Sequence, residues 1–317
     1  MKLKKTHIMK TKNLILLFTA IFLSITAIAK DKNQKYDAAT LVKKSLSLIG
    51  KNYGDSPNYM NAFYKEKIQQ NNSCITTNEA LLNIQKSSYL TSKPDLTAIA
   101  QIRGKCNPNE NSGFIVKLQR GPITALEVDI LKNPFLGSFP HEIEKSYSFE
   151  YSQPITINNR ELYVIIFNQK PSEERTLYRG KIFIDKSSLA ISKIEYSMNI
   201  ENKYYSYAHF FKTKPKGHDI KMISANYIVI YKEYEGKWYF NYSTSDLNFN
   251  ITNREECTNN TYNINTQIAV TNLVAENFTI DKSNLLKNSD NLTDKAKEYN
   301  TNSEWDIYNL ILLTAAN

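Results

Sequence analysis

Apolar and polar positions alternate along this chain at two different periods. Between Ala39 and Ile49, residues Leu41, Val42, Leu46 and Ile49 fall on one helical face and Gly50 follows, which predicts a short amphipathic helix stopped by the glycine. From Ala62 onward the period is two. Strand-like runs recur at 62–69, 74–86, 113–119, 147–152, 161–169, 177–185, 190–199, 204–212, 219–234, 237–250 and 261–273, about eleven in all. Short turns join them. The exception is the insertion from Pro122 to His141, where Ile123, Leu126, Val128, Ile130 and Leu131 predict a helical turn or two, ended at Asn133-Pro134.

Two hairpins suggest a register. A two-residue loop at Glu235-Gly236 pairs Glu233 with Trp238, Tyr231 with Phe240 and Val229 with Tyr242, which puts Val229, Tyr231, Trp238, Phe240 and Tyr242 on one face. In the other, the turn falls at Asp185 to Ser188. There Tyr178, Ile182 and Ile184 share a side with Ile194, Tyr196 and Met198, while Lys193, Glu195 and Ser197 face away. The run Leu162 to Phe167 is apolar on both faces, as in a strand covered on both sides. The expected covers are the Ala39 to Ile49 helix and the segment Trp305 to Leu313, each too short to stand alone in water. The expected fold is α+β and mostly β: one large curved antiparallel sheet, a half-barrel of about eleven strands, covered by N- and C-terminal helices.

The first thirty residues suggest an address. Lys2, Lys4, Lys5, Lys10 and Lys12 precede an apolar run from Leu14 to Ile25, and Ala27-Ile28-Ala29 follows as a small-x-small cleavage site. A membrane span needs about 20 apolar residues, so the run reads as an export signal, and no transmembrane span is expected in the mature chain. The expected organisation is a signal over 1–29, a polar lead over 30–38 and one β-rich domain over 39–313, loosely held between 281 and 302. The expected location is the periplasm or the outer membrane.

Composition agrees with a β-rich chain: 21 Tyr and 14 Phe stand against 9 Gly and 9 Pro in 317 residues, which excludes collagen-like and Pro-rich classes. Loss of the signal removes five lysines and no acid, lowering the formal net charge from +9 to +4. Basic and acidic residues alternate through the remainder, so no nucleic-acid partner is expected. Three cysteines, Cys74, Cys106 and Cys257, allow at most one internal bridge, with Cys74 and Cys106 the nearer pair in sequence, and free thiols are the expected state.

A family resemblance rests on Phe63-Tyr64-Lys65-Glu66, Glu79-Ala80, the run Leu177 to Asp185, Leu189-Ala190-Ile191, Gly236-Lys237-Trp238-Tyr239 and Trp305-Asp306-Ile307-Tyr308-Asn309. Together these look like the exported proteins named for a carboxypeptidase-like regulatory domain, in the β-rich portion that follows that domain. The resemblance spans Ala39 to Asn309. The module that gives the family its name has no room between the signal and Ala39, so the resemblance implies neither that module nor peptidase activity. More distantly, a long sheet plus helices with a Gly-x-x-x-Ile-Asp hairpin at Gly180 to Asp185 is similar to the periplasmic lipoprotein-carrier fold, whose open half-barrel holds acyl chains.

Motifs for chemistry are sparse. His141-Glu142-Ile143-Glu144-Lys145 supplies half of a metalloprotease helix and no second His; there is no G-x-S-x-G elbow and no phosphate-cradling Gly loop. The acid pairs Glu173-Glu174 and Glu255-Glu256 fall in expected loops. No catalytic residue, metal site or cofactor is expected. Aromatics are the better lead. Tyr204, Tyr205, Tyr207, Phe210 and Phe211 populate one strand, and the Trp238 hairpin adds another aromatic face, so Tyr207, Phe211, Tyr231, Trp238 and Phe240 form the candidate ligand-binding set. Ordinary core packing is the commoner state of such side chains, and His209 among them reads as structural. Two functional readings follow: an exported non-enzymatic envelope protein that binds a lipid or other hydrophobic ligand in a half-barrel cavity, or an interaction protein with a filled core that docks an envelope partner by strand addition. A hydrolase is the third and weakest.

Overall fold

The computed structural model describes residues 35–106, 120–132, 135–137, 142–201, 217–274 and 279–298. The expected signal, the strands at 113–119 and 204–212, the C-terminal segment 305–313, and Tyr207, Phe211, His141 and His209 lie outside the described residues. All elements named below belong to the unit Asp37–Asn317.

Among the described residues eleven strands form one antiparallel sheet that does not close: β1 (Asn58–Gln70), β2 (Ser73–Lys86), β3 (Leu96–Cys106), β4 (Tyr147–Tyr151), β5 (Ile155–Ile157), β6 (Arg160–Gln169), β7 (Tyr178–Asp185), β8 (Ile191–Met198), β9 (His218–Tyr234), β10 (Lys237–Asn253) and β11 (Thr258–Val274). Their order across the sheet is β3-β2-β1-β11-β10-β9-β8-β7-β6-β4, with β5 paired to β6. The strand count and fold class agree with the alternation in the sequence. Two of the strands, β3 and β5, stand where none was expected. In β3 a bulge at Ala100 separates the pairs Leu81↔Gln101 and Leu82↔Ile99, so Ala98 and Ile99 are both buried and the alternation that marks a strand is broken. β5 is only three residues long.

Among the described residues five short helices accompany the sheet: α1 (Ala38–Ser47), α2 (Ile49–Tyr53), α3 (Pro122–Glu127), α4 (Ile143–Ser146) and α5 (Leu292–Glu298). Asp37 caps α1, its carboxylate accepting from the Thr40 backbone N at 2.9 Å and from Thr40 Oγ1 at 2.6 Å. The chain does not stop at Gly50 as expected. It turns at Leu48 into α2, and the break comes at Gly54, whose φ of +80° suits a residue without Cβ. α3 falls where the Pro122 insertion predicts a helical turn or two. Between 281 and 302 the described residues make defined contacts: Leu285 bridges Ala98 on β3, and Leu292 and Thr293 of α5 are buried.

The β9–β10 hairpin corrects the expected register. Trp238 opposes Glu233 and Phe240 opposes Tyr231, but Asn241 is a bulge, so Tyr242 opposes Ile230 and Ser243 opposes Val229. Past the bulge the faces exchange. Tyr242 therefore leaves the face it was expected to share with Phe240 and packs with Phe63 and Ala269, against Leu81 and Ile230, on the opposite, outer side. Ser243 takes the inner side, where its Oγ donates to the Ala125 carbonyl of α3 at 2.8 Å. In β7–β8 the pairs Tyr178↔Met198 and Ile182↔Ile194 agree with expectation until a bulge at Ser192 shifts Ile184 opposite Ile191. The second apolar face of β6 is met by Ile157 of β5, packed on Leu162, Val164 and Phe183.

Candidate functional site

Three of the nominated aromatics, Tyr231, Trp238 and Phe240, lie in the described residues and face the inner side, where Tyr231 and Phe240 flank a buried ionic cluster. Strand phase explains how a lysine comes to be there. On β2 the positions Thr76, Asn78, Ala80, Leu82 and Ile84 turn inward, and the next in phase is Lys86, 0% exposed. Its Nζ meets Asp129 Oδ2 at 2.8 Å and Asp95 Oδ2 at 3.1 Å, and Lys132 pairs with the other Asp95 oxygen. Asp129 also accepts from Tyr89 Oη at 2.7 Å and from Tyr231 Oη. The Lys86 ammonium stands 5.0 Å from the Phe240 ring centre and 5.3 Å from that of Tyr89.

Burial opposes the charge on Lys86, but Asp129 and Asp95 outweigh it and raise its pKa. Burial first, then the Asp129 charge, pushes the hydroxyls of Tyr53, Tyr89 and Tyr231 well up, so all three stay neutral donors. Tyr53 ties the cluster to α2: its ring lies 5.2 Å from Tyr89 and 5.4 Å from Tyr231, and its hydroxyl donates to the Ile191 carbonyl at 2.5 Å. Trp238 lies apart, under the Arg160 guanidinium at 5.2 Å, and Arg160 bridges Asp185 and Glu233 at 3.4 and 2.6 Å. Tyr231, Trp238 and Phe240 are thus engaged by the chain itself.

A second buried polar cluster sits on β1 and β2. Glu66 accepts from Tyr64 Oη and from Asn78 Nδ2, both at 3.0 Å, and Asn78 Nδ2 also donates to Thr293 Oγ1 of α5 at 2.9 Å. Sequence reasoning nominated neither cluster. The signal for both was strand phase: Glu66 alternates in step with Tyr64 and Ile68, and Lys86 with Leu82 and Ile84.

The clefts lie elsewhere. Among the described residues β10 pairs with β11 only from Tyr242 onward, while Lys237 to Phe240 have ladder partners on β9, and Val270 and Asn272 to Val274 have them on β1. Bulges coincide at this level, at Asn241 on β10 and at Thr271 on β11, and they turn the two strands apart into a fork. One cleft at the fork, of about 330 Å³, is lined by Tyr234, Tyr239, Phe240, Asn241, Thr271 and Leu273 among others. A second, of about 420 Å³, adds Tyr53 to Tyr59 and Val274 to the shared walls Tyr234, Tyr239 and Leu273. Tyr234 is 55% exposed, and Asn58 Oδ1, in the second cleft, is buried with no hydrogen-bond partner among the described residues. A third cleft, of about 610 Å³, lies between the Asn158-Asn159 turn and Asp185, a carboxylate already engaged by Ser187, Ser188 and Arg160.

Among the described residues no group of three or more His, Cys, Asp or Glu side chains is placed to hold a metal ion, and no helix is long and apolar enough to cross a membrane. Cys74 and Cys257 are exposed free thiols. No family profile matches the chain, and no curated protein matches it. Solved structures give low-scoring similarities. A putative outer membrane lipoprotein-sorting protein domain from Vibrio parahaemolyticus aligns with 78% of this chain and 94% of its own at 9% identity and a TM-score of 0.30. A DUF1329 family protein from Desulfovibrio piger aligns with 78% of this chain and 96% of its own at 8% identity and TM-score 0.31. MucB aligns with 74% of this chain and 92% of its own at 10% identity and TM-score 0.25. At these scores the likenesses carry no argument about function.

Proposed function

We propose that this chain is an exported, non-enzymatic binding protein of the cell envelope that docks an extended polypeptide at the fork between β10 and β11. The observation that carries this reading is the engagement of the inner face by the chain's own groups, with Lys86 and Asp129 at its centre and Tyr231 and Phe240 packed around them. An acyl chain there would have to displace a buried ion pair, at a cost of several kcal/mol. The fork offers what an extended peptide needs. Among the described residues the edges of β10 and β11 that face each other there have no ladder pairing between them, and they are flanked by Tyr234, Tyr239 and Leu273 and by an Asn58 oxygen with no partner among those residues. The leader lysines and apolar run support export.

The test has two arms. The mature protein, purified and extracted with organic solvent, should yield no stoichiometric lipid by mass spectrometry and should leave the fluorescence of an acyl-chain probe unchanged. Photo-cross-linking from Tyr239 in intact cells should give one protein adduct, lost in Leu273→Asp. Saturable probe binding with a co-purifying lipid would overturn the reading and favour hydrophobic-ligand carriage, for which the same cleft walls, Tyr234, Tyr239 and Leu273, are the apolar surface available.

A further inference from the structure

Glu66 takes no part in the docking surface, yet it is the buried carboxyl with the least support. It is 1% exposed and accepts, among the described residues, two hydrogen bonds, from Tyr64 and Asn78. Among the described residues the groups recorded against it are neutral: Tyr64 on its own strand, Asn78 from β2, Thr266 opposite in register on β11 and, behind Asn78, Thr293 of α5. Charges on the surrounding elements have partners of their own, Arg120 in Glu127 and Lys295 in Asp290, and the Arg120 Nε is buried without a hydrogen-bond partner among the described residues. Asn78 Oδ1 is buried without a partner among the described residues. That oxygen lies on the Gly104 side of Asn78 and not toward Glu66; two accepted bonds leave an ionised carboxylate short of donors, whereas a neutral carboxyl needs fewer.

The lid over this cluster is α5. Its Thr293 holds Asn78, its Ala296 stands so near Gly104 that a Cβ there would lie 2.8 Å from the Ala296 methyl, and Leu292 lies over Gly121. Seven residues long, α5 is too short to persist as a helix away from the sheet. We propose that Glu66 is a pH-sensitive latch: its protonated carboxyl keeps α5 on β2 and β3, and its ionised carboxylate releases the helix so that water reaches the charge. Release frees the neighbouring Leu285-Leu286 stretch, whose bridge to Ala98 and bond from Leu286 N to the Thr97 carbonyl at 2.9 Å cover the outer edge of β3.

Burial, opposed by Asn78 and Tyr64, pushes the Glu66 carboxyl up to about 6 from 4.5. The closed form therefore binds the proton more tightly than the open one, so closure is complete below the lower value and weakens as pH rises through the higher. Hydrogen exchange on the mature protein reads this directly. Corrected for intrinsic rates, opening of the α5 amides should be about eightfold greater near pH 7.5 than near pH 5. In Glu66→Gln that ratio should fall to near one, while Thr293→Val should loosen α5 at both pH values. A carboxyl NMR titration of wild type should place Glu66 near 6 and provides the reading if Glu66→Gln fails to fold. Protection of α5 that ignores pH, a pH response surviving in Glu66→Gln, a Glu66 titration at the ordinary carboxylate value, or a response shared equally by β9 and β10 would each overturn the latch.

Discussion

Single side chains carry unequal weight in this fold, and Lys86 carries the most. A buried lysine persists only if its charge is matched, and here two carboxylates and two aromatic faces match it. Lys86→Met would leave the buried Asp129 carboxyl without its lysine partner, keeping the hydroxyls of Tyr89 and Tyr231. The expected loss is about 3–5 kcal/mol in urea unfolding, whereas Lys232→Met, at an exposed position on β9, should change stability by less than about 0.5 kcal/mol. Equal effects would mean that the cluster is not an anchor. Charge in a sequence is commonly read as surface, which is why Lys86, at the end of an expected strand, was not nominated. The alternation that revealed the strand also assigned Lys86 to the buried face, so the information was present in Leu82, Ile84 and Lys86. What no local pattern holds is the partner: Asp129 lies 43 positions away in an insertion whose docking place depends on the whole sheet.

Elements were legible where alternation is unbroken and illegible where a bulge interrupts it. Strands β6 to β8 stand within a residue of their expected limits, while Asn241 turned Tyr242 to the other face and Ala100 hid β3. Nothing in the residue types of Asn241 or Ala100 announces an extra residue, because a bulge is a property of two strands in register. Glycine is more informative. A Cβ on Gly180 would lie 2.0 Å from the Glu195 carbonyl oxygen and 2.7 Å from Tyr196 Cα, so β7 and β8 approach there as only glycine allows. The same close approach seats Tyr196, whose ring stacks at 4.8 Å on Tyr227 and meets Tyr178 edge-on. Gly180→Ala should therefore cost about 3 kcal/mol or more by overpacking, measured by chemical denaturation. Gly236→Ala, in open space at a φ of +77°, should cost only about 1 kcal/mol, as backbone strain. Parity between the two would show that β8 can yield.

At the scale of the whole molecule, the strand order couples the ends of the chain. β1 is formed by residues 58–70 and lies between β2 and β11, so its pairing with β11 closes a loop of nearly two hundred residues, whereas β9 and β10 are joined by a two-residue turn. Closure of so long a loop costs entropy before any contact compensates it, and local hairpins form first. The fold class could be read from hydrophobic period alone, but this closure could not, since period says which residues form strands and not which strands are neighbours. The order of events can be read from kinetics. Val229→Ala, at the buried centre of β9, should act mainly by slowing folding, with a φ-value above about 0.5. Ile68→Val, on β1 opposite Ile264, should act mainly by speeding unfolding, with a φ-value below about 0.3. Stopped-flow chevrons of the two variants decide the point. A high φ-value at Ile68 would mean that the long-range seam forms in the nucleus, and would assign the slow step to the ordering of the helices on the inner face.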